Sequence, residues 1–145
     1  MGLRLVAIDI DAASPKPIFH VISPTVPARI LILGVSQADL GEPAWEIMTV
    51  DWASRPTYTA SAQIVLETEQ VLASHEPGSE IEGEPYDLLA SVQDNQEVSS
   101  VTYGEVPVGF QQTHPQHGPP PPLRTGVAYK VAVMGACFGQ ATFTA

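Results

Sequence analysis

Apolar residues along this chain alternate with polar ones in short runs, and turn residues separate the runs. Alternation with a period of two places every second side chain on the same face of an extended strand. Pro, Gly, Asp and Asn at the boundaries supply the turns. The pattern predicts about eight strands, which cover Leu3–Ile10, Pro17–Ile22, Ala28–Val35, Ala44–Trp52, Tyr86–Val92, Glu97–Glu105, Val127–Met134 and Phe138–Thr144.

One run is apolar on both of its faces. The four residues from Ile30 to Leu33 are all apolar and show no alternation. A continuous apolar run of this length is typical of a strand that is covered on two sides. We therefore expect a central strand of a sandwich at this place.

The stretch near residues 61–74 fits two interpretations. Five of its residues have the i, i+1, i+4, i+7, i+8 spacing of a helical stripe, namely Ile64, Val65, Thr68, Val71 and Leu72. The same stretch also divides into two short strands, Ala62–Glu67 and Gln70–Ala73. We favour one short helix near 61–74 and keep the pair of strands as the alternative.

Length and proline content restrict the fold further. The chain has 145 residues, the size of one domain, and no internal repeat or long linker divides it. Its 14 prolines exclude long uninterrupted helices, because each removes a backbone donor and clashes with the preceding turn. We expect a single all-β domain over 1–145, a two-sheet sandwich of about seven to nine strands.

The C-terminal strand pair resembles part of a fibronectin type III domain. Residues 123–133 contain a Leu, a turn with Gly and then Tyr-x-Val-x-Val, the pattern that leads into the sixth strand of that family. The resemblance implies an immunoglobulin-like sandwich in which Tyr129 forms a tyrosine corner, Gly126 frees the turn and Leu123 closes one end. Thr125 departs from the family, which commonly has Pro there.

A second stretch, Tyr103–Phe110, together with the proline-rich link and strand pair that follow it, is similar to the C-terminal half of small bacterial β-sandwich proteins. Neither resemblance implies an activity, because this architecture carries many unrelated functions.

Negative charge is concentrated in the middle of the chain. The formal net charge is −10, and residues 56–123 contain no Lys or Arg but ten carboxylates. Such a surface repels phosphate, so we expect neither nucleic acid nor an anionic membrane as partner. It suits a basic protein partner, with Glu80, Glu82 and Glu84 as interaction candidates. The alternative is a surface that serves solubility alone.

Two pairs of residues are candidates for a metal site. Asp9 and Asp11 alternate on a strand and share a face, as carboxylates of some calcium sites do. His114 and His117 form a His-x-x-His in a proline-flanked loop, where a metal geometry is undefined. We expect solvent-exposed side chains at all four positions and no cofactor, with calcium as the alternative.

The sequence contains none of the motifs of common enzymes. A nucleophile elbow, a phosphate loop, a dinucleotide fingerprint and a zinc-protease helix are all missing from it. Cys137 lies in an alternating strand pattern, which predicts a buried structural thiol. No apolar run is long enough for a membrane span. The first residues lack the layout of a signal peptide, but a Met-Gly start also follows replacement of a leader, so the compartment stays open.

These observations favour a non-enzymatic protein-interaction or structural module. A calcium- or metal-stabilised binding domain is the first alternative. A hydrolase or carbohydrate-active sandwich with paired carboxylates is the second.

Overall fold

The computed structural model describes residues 2–13, 15–24, 26–53, 75–84 and 86–145. The favoured helix near 61–74, and its alternative of two strands, lie outside the described residues. Within them the strands are β1 (Leu3–Leu5), β2 (Ala7–Asp11), β3 (Ile18–Ile22), β4 (Ala28–Ile30), β5 (Ile32–Gln37), β6 (Pro43–Thr49), β7 (Glu80–Ile81), β8 (Gln96–Val98), β9 (Ser100–Thr102), β10 (Phe110–His114), β11 (Ala128–Met134) and β12 (Cys137–Thr144). The helices are α1 (Val50–Ala53) and α2 (Tyr86–Ala90).

Seven of the strands form one large sheet with the order β10-β6-β5-β11-β12-β1-β7. Its neighbours are antiparallel except β1 and β12, which run parallel with Arg4 beside Cys137 and Leu5 beside Phe138. The C-terminal hairpin of β11 and β12 lies inside this sheet, since β5 pairs with β11 on one side and β1 with β12 on the other.

The second layer consists of a three-stranded sheet, β2-β3-β9, and a two-stranded sheet, β4-β8. β8 and β9 are separated by one residue, Ser99, whose carbonyl accepts a hydrogen bond of 2.9 Å from Val21 N. The two small sheets therefore follow one another across the face of the large sheet. The prediction of a β-rich fold with packed sheets is confirmed.

Apolar side chains from both layers form the main core. Large-sheet strands contribute Leu33, Val35, Trp45, Ile47, Phe110, Tyr129, Val131, Val133 and Cys137, and the small sheets contribute Phe19, Val21, Ala28, Ile30, Val98 and Val101. Trp45 is fully buried and meets the ring of Tyr103 edge-on at 5.4 Å between centroids.

A second apolar cluster covers the opposite face of the large sheet. It consists of Leu3, Leu5, Leu31, Ile32, Met48, Trp52, Leu89, Met134 and Phe138, to which α1 and α2 each contribute one buried residue. Consecutive residues thus point to different cores, as Ile47 and Met48 do on β6. The large sheet is covered on both faces at this end, which explains why the consecutive residues Ile32 and Leu33 of β5 are both apolar.

Two predicted strands are each divided between the layers. The run Leu3–Ile10 changes sheet at Val6, whose N–H still donates to Phe138 O at 2.9 Å. The run Ala28–Val35 changes sheet at Leu31, whose N–H donates to Met134 O at 2.7 Å. Each crossing therefore keeps its backbone hydrogen bonds while the chain passes from one core to the other.

Both crossings lie directly against a glycine of the C-terminal hairpin region. A Cβ on Gly139 would lie 2.6 Å from the carbonyl oxygen of Val6, and a Cβ on Gly135 would lie 2.5 Å from Leu31 N. Such distances are below van der Waals contact, so only a residue without a side chain permits these approaches.

The predicted strand over Tyr86–Val92 is wrong, because Tyr86–Ala90 is a helix. Leu89 is 4% exposed whereas its neighbour Leu88 is 60% exposed. Ser91 N donates to Asp87 O at 3.1 Å, four residues back.

The predicted strand over Ala44–Trp52 ends early, at Thr49, and α1 begins at the next residue. The predicted strand over Glu97–Glu105 is divided into β8 and β9 and ends at Thr102, and β7 and β10 lie outside the eight predicted strands.

Tyr129 is anchored at both ends of its side chain. Its ring is buried and stacks on Phe143 with centroids 5.8 Å apart, and its hydroxyl accepts a hydrogen bond of 2.9 Å from Arg124 N. Gly126 has a φ of +82° in the turn between them. Leu123 is half-buried and packs against the main core. The Tyr129 hydroxyl thus bonds to the backbone five residues upstream while its ring lies in the core.

Tyr103 holds the proline-rich link in a similar way. Its hydroxyl donates a hydrogen bond of 2.7 Å to Pro121 O. Burial, and to a smaller extent the nearby phenol of Tyr129, raises the pKa of Tyr103 to about 12. The phenol is therefore neutral at ordinary pH and available as a donor.

The first prediction concerns the Tyr129 anchor. Tyr129→Phe removes one hydrogen bond and is expected to lower the free energy of unfolding by about 0.5–1.5 kcal/mol. Tyr129→Ala also empties the space against Phe143 and is expected to cost about 3–5 kcal/mol. Denaturant titration measures both values. Wild-type stability in both variants would show that the anchor does not support the fold.

Candidate binding site

A cleft of about 520 Å³ opens at the end of the molecule where β12 begins. Five segments contribute to it: the start of β1, the residues before and within β4, the first residue of β7, the C-terminal end of α2 with the turn that follows, and the start of β12 with the residue before it. Its lining comprises Gly2, Arg4, Val26, Pro27, Arg29, Glu80, Ala90, Ser91, Val92, Gln93, Asn95, Ala136 and Cys137.

Asn95 fixes the floor of this cleft. Its side chain is buried, and Nδ2 donates to Val92 O at 2.8 Å and to Leu89 O at 3.3 Å. Oδ1 accepts a hydrogen bond of 2.7 Å from Ala136 N. The amide thus connects the end of α2 to the turn between β11 and β12. Asn suits the position because one side chain supplies both donors and an acceptor.

Two arginines face the cleft. The guanidinium of Arg4 forms an ion pair with Glu80 at 3.5 Å and donates to Gly78 O at 3.4 Å. Arg29 is exposed on β4, and its Nη2 donates to Asn95 O at 3.3 Å. The backbone carbonyl of Asn95 therefore helps to position Arg29.

Cys137 forms part of the same floor as a buried thiol. Its side chain is 3% exposed. Burial raises the pKa of the thiol, while a hydrogen bond from the backbone of Arg29 and the charge of Arg4 act weakly in the other direction. The thiol is therefore protonated at neutral pH, and the thiolate is the reactive form.

The four candidate metal ligands lie on two different parts of the fold. Asp9 and Asp11 are exposed on β2, and Asp11 Oδ1 accepts a hydrogen bond of 3.1 Å from Ala13 N. His114 is the last residue of β10 and is half-buried, so the expectation of an exposed loop residue is wrong there, whereas His117 is exposed in the bend that follows. Among the described residues no three His, Cys, Asp or Glu side chains group so as to hold a metal ion.

The acidic run that includes Glu80, Glu82 and Glu84 is divided by the structure. Glu80 pairs with Arg4 and accepts a hydrogen bond of 2.6 Å from Gly2 N, so its charge is used within the fold. Glu82 and Glu84 are exposed beyond the end of β7. These two remain available to a partner, whereas Glu80 has a structural contact.

Sequence reasoning did not identify the cleft. Arg4 and Arg29 are far apart in the chain, and both reach the cleft because β1 pairs with β12 and β4 contacts β12. Asn95 is the one asparagine of the chain, and its position between two predicted strands indicates a turn but not a buried side chain.

Comparison of the chain with protein-family models, with curated proteins and with solved structures found no match. Conclusions about function therefore rest on the geometry of the chain itself. The described part of the chain includes no helix whose length and apolar character would let it cross a membrane.

The second prediction concerns Asn95. Asn95→Asp keeps the acceptor for Ala136 N but replaces two donor hydrogens by a buried negative charge facing carbonyl oxygens. We expect a loss of about 1–3 kcal/mol in unfolding free energy at neutral pH. Part of the loss should be recovered on acidification, since protonation removes the charge and restores one donor.

Gln93→Glu is the matched control, because it makes the same chemical change at an exposed neighbouring position. Its effect should stay within about 0.5 kcal/mol. Denaturant unfolding at neutral and acidic pH measures both variants. Equal stability of the two variants would contradict the role assigned to Asn95.

Proposed function

We propose that this chain is a non-enzymatic protein-interaction module with an immunoglobulin-like sandwich. The observation that carries the proposal is an exposed apolar tip at one end of the large sheet. Val108 is 99% exposed there, and Val50 and Val106 are 47% and 42% exposed. We refer to these three residues as the valine tip.

The valine tip has a defined backbone. Val50 N donates to Gly109 O at 3.0 Å, which fixes the loop before β10 against the start of α1. Phe110 N donates to Pro107 O at 3.1 Å and closes a turn beneath Val108. A fixed loop loses little conformational freedom on binding, which favours its use as a contact surface.

Exposure of these side chains leaves hydrophobic free energy available to a partner. Full burial of one valine side chain contributes about 1.5–3 kcal/mol. Apolar patches with polar surroundings are typical of protein interaction sites. Acidic residues flank the tip, with Asp51 after Val50 and Glu105 before Val106. This chemistry suits a partner protein whose apolar contact residues are bordered by Lys or Arg.

The fold type proposed here is supported by the anchored side chain of Tyr129. Its buried ring and its hydrogen bond from Arg124 N match the requirements of a tyrosine corner. Binding through the loops at one end is common among such sandwiches. The buried, protonated thiol of Cys137 is consistent with a module that binds without catalysis.

The third prediction tests the valine tip. Val108→Asp should leave the unfolding free energy within about 0.5 kcal/mol of wild type, because the side chain contacts solvent. It should also abolish capture of the partner from an extract of the source cell, measured by quantitative mass spectrometry. The affinity of the identified partner for wild-type protein should fall as salt concentration rises, because salt screens the flanking carboxylates.

Leu40→Asp is the matched control. Leu40 is 75% exposed in the turn between β5 and β6, at the opposite end of β6 from Val50. This variant should capture the same proteins as wild type. Loss of capture in both variants, or in neither, would contradict binding through the valine tip.

A further inference from the structure

We infer that the cleft at the start of β12 is a second binding site, and that it takes a small aliphatic carboxylate through Arg29. The inference stands apart from the valine tip, since it concerns different residues and a different class of ligand. Three features carry it: the local charge, the arrangement of hydrogen-bond donors and the apolar walls.

The charge of the cleft is opposite to that of the whole chain. The chain carries −10, but the charged residues that line the cleft are Arg4, Arg29 and Glu80, two cations and one anion. Glu80 is paired with Arg4 at 3.5 Å. Charges beyond about 8 Å are largely screened at about 0.15 M salt, so the net charge of the chain matters less here than the excess positive charge of the lining and the nearby carboxylate of Glu97.

Glu97 is the strongest competitor for Arg29. The two residues are cross-strand partners on β4 and β8, and both are exposed. Glu97 is not among the residues that line the cleft. Arg29 instead directs Nη2 to the carbonyl of Asn95 at 3.3 Å, which holds the guanidinium on the side of the cleft.

The guanidinium of Arg29 has more N–H donors than it uses within the fold. A guanidinium carries five N–H groups in a planar fork that matches the two oxygens of a carboxylate. Within the described residues, the Arg29 side chain donates one hydrogen bond, to Asn95 O. Because Asn95 is itself fixed by three side-chain hydrogen bonds, the fork is held in place before a ligand arrives.

The rest of the cleft is suited to a short apolar group. Val26, Pro27, Ala90 and Val92 contribute aliphatic surface, and the thiol of Cys137 is uncharged. A volume of about 520 Å³ lies within the range of about 300–1,000 Å³ found for small-molecule sites. A carboxylate with a short aliphatic tail would pair with the Arg29 guanidinium and pack against the aliphatic walls. The carboxylate can belong to a free acid or to the C-terminus of a peptide.

Titration with butyrate, followed by the amide chemical shifts in heteronuclear NMR spectra, tests the inference. Butyrate should shift the amides of Asn95, Ala136 and Cys137 in a saturable manner. Butyramide has the same shape without the charge, and butylammonium has the opposite charge. Both should leave these amides unshifted at the same concentrations. Equal responses to butyrate and butyramide would overturn the inference.

Three variants locate the site. Arg29→Gln should weaken butyrate binding by at least about tenfold, since charge-assisted hydrogen bonds to the carboxylate are lost. Gln93→Glu adds a negative charge to the rim at constant size and should also weaken binding, with Arg29 still in place. Arg124→Gln is the control, because Arg124 is exposed and does not line the cleft. Unchanged affinity in the first two variants, or equal loss in all three, would overturn the assignment.

The two sources of the carboxylate are separated by a further titration. A capped tripeptide, acetyl-Gly-Ala-Val, is compared with its C-terminal amide and with butyrate. Binding of the free-acid peptide more tightly than butyrate, with no binding of the amide, supports a peptide C-terminus as the ligand. Exclusion of the peptide while butyrate binds supports a free acid. Failure of both carboxylates to bind would overturn the inference and would leave the valine tip unaffected.

Discussion

The close approach of two crossing backbones to Gly135 and Gly139 is the constraint on which the rest of this structure depends. At Val6 and at Leu31 the chain leaves one sheet and enters the other, and both crossings occupy space that a side chain on the neighbouring glycine would fill. The crossings let β1 pair parallel to β12 and let β5 pair with β11. The C-terminal hairpin is therefore interior to the large sheet, and its residues contribute to both apolar clusters.

The cleft is a consequence of the same constraint. β1 places Arg4 beside Cys137 because it reaches β12 before it crosses at Val6. β4 places Arg29 over the start of β12 because the chain enters the large sheet only after Leu31, where β4 has ended. The Asn95 side chain reaches Ala136 because its Oδ1 occupies the space where a Cβ of residue 135 would be. The positions of Arg4, Arg29 and Asn95 in the cleft thus depend on the same crossings as the sheet order.

Local pattern accounts for much of the fold but for little of the site. Alternation identified β3, β11 and β12, and the apolar run at residues 30–33 indicated a strand covered on both faces. It could not divide the strands at Val6 and Leu31, because the glycines that permit the crossings lie more than 100 residues further along the chain. The helix at Tyr86–Ala90 escaped recognition because a five-residue segment is too short for helical and strand periodicities to differ. The cleft requires residues from five segments, which no local pattern brings together.

Substitution of Gly139 by alanine, measured by denaturant unfolding, tests the central claim most directly. Gly34 provides the matched control, because it also lies in an interior strand of the large sheet but an added Cβ would meet nothing within 4 Å. The account predicts that Gly139→Ala lowers the free energy of unfolding by about 2 kcal/mol or more, as overpacking against a backbone does. Gly34→Ala should leave stability unchanged or raise it by about 0.4–1 kcal/mol. Equal stability of the two variants would contradict the claim that the crossing at Val6 depends on a missing side chain.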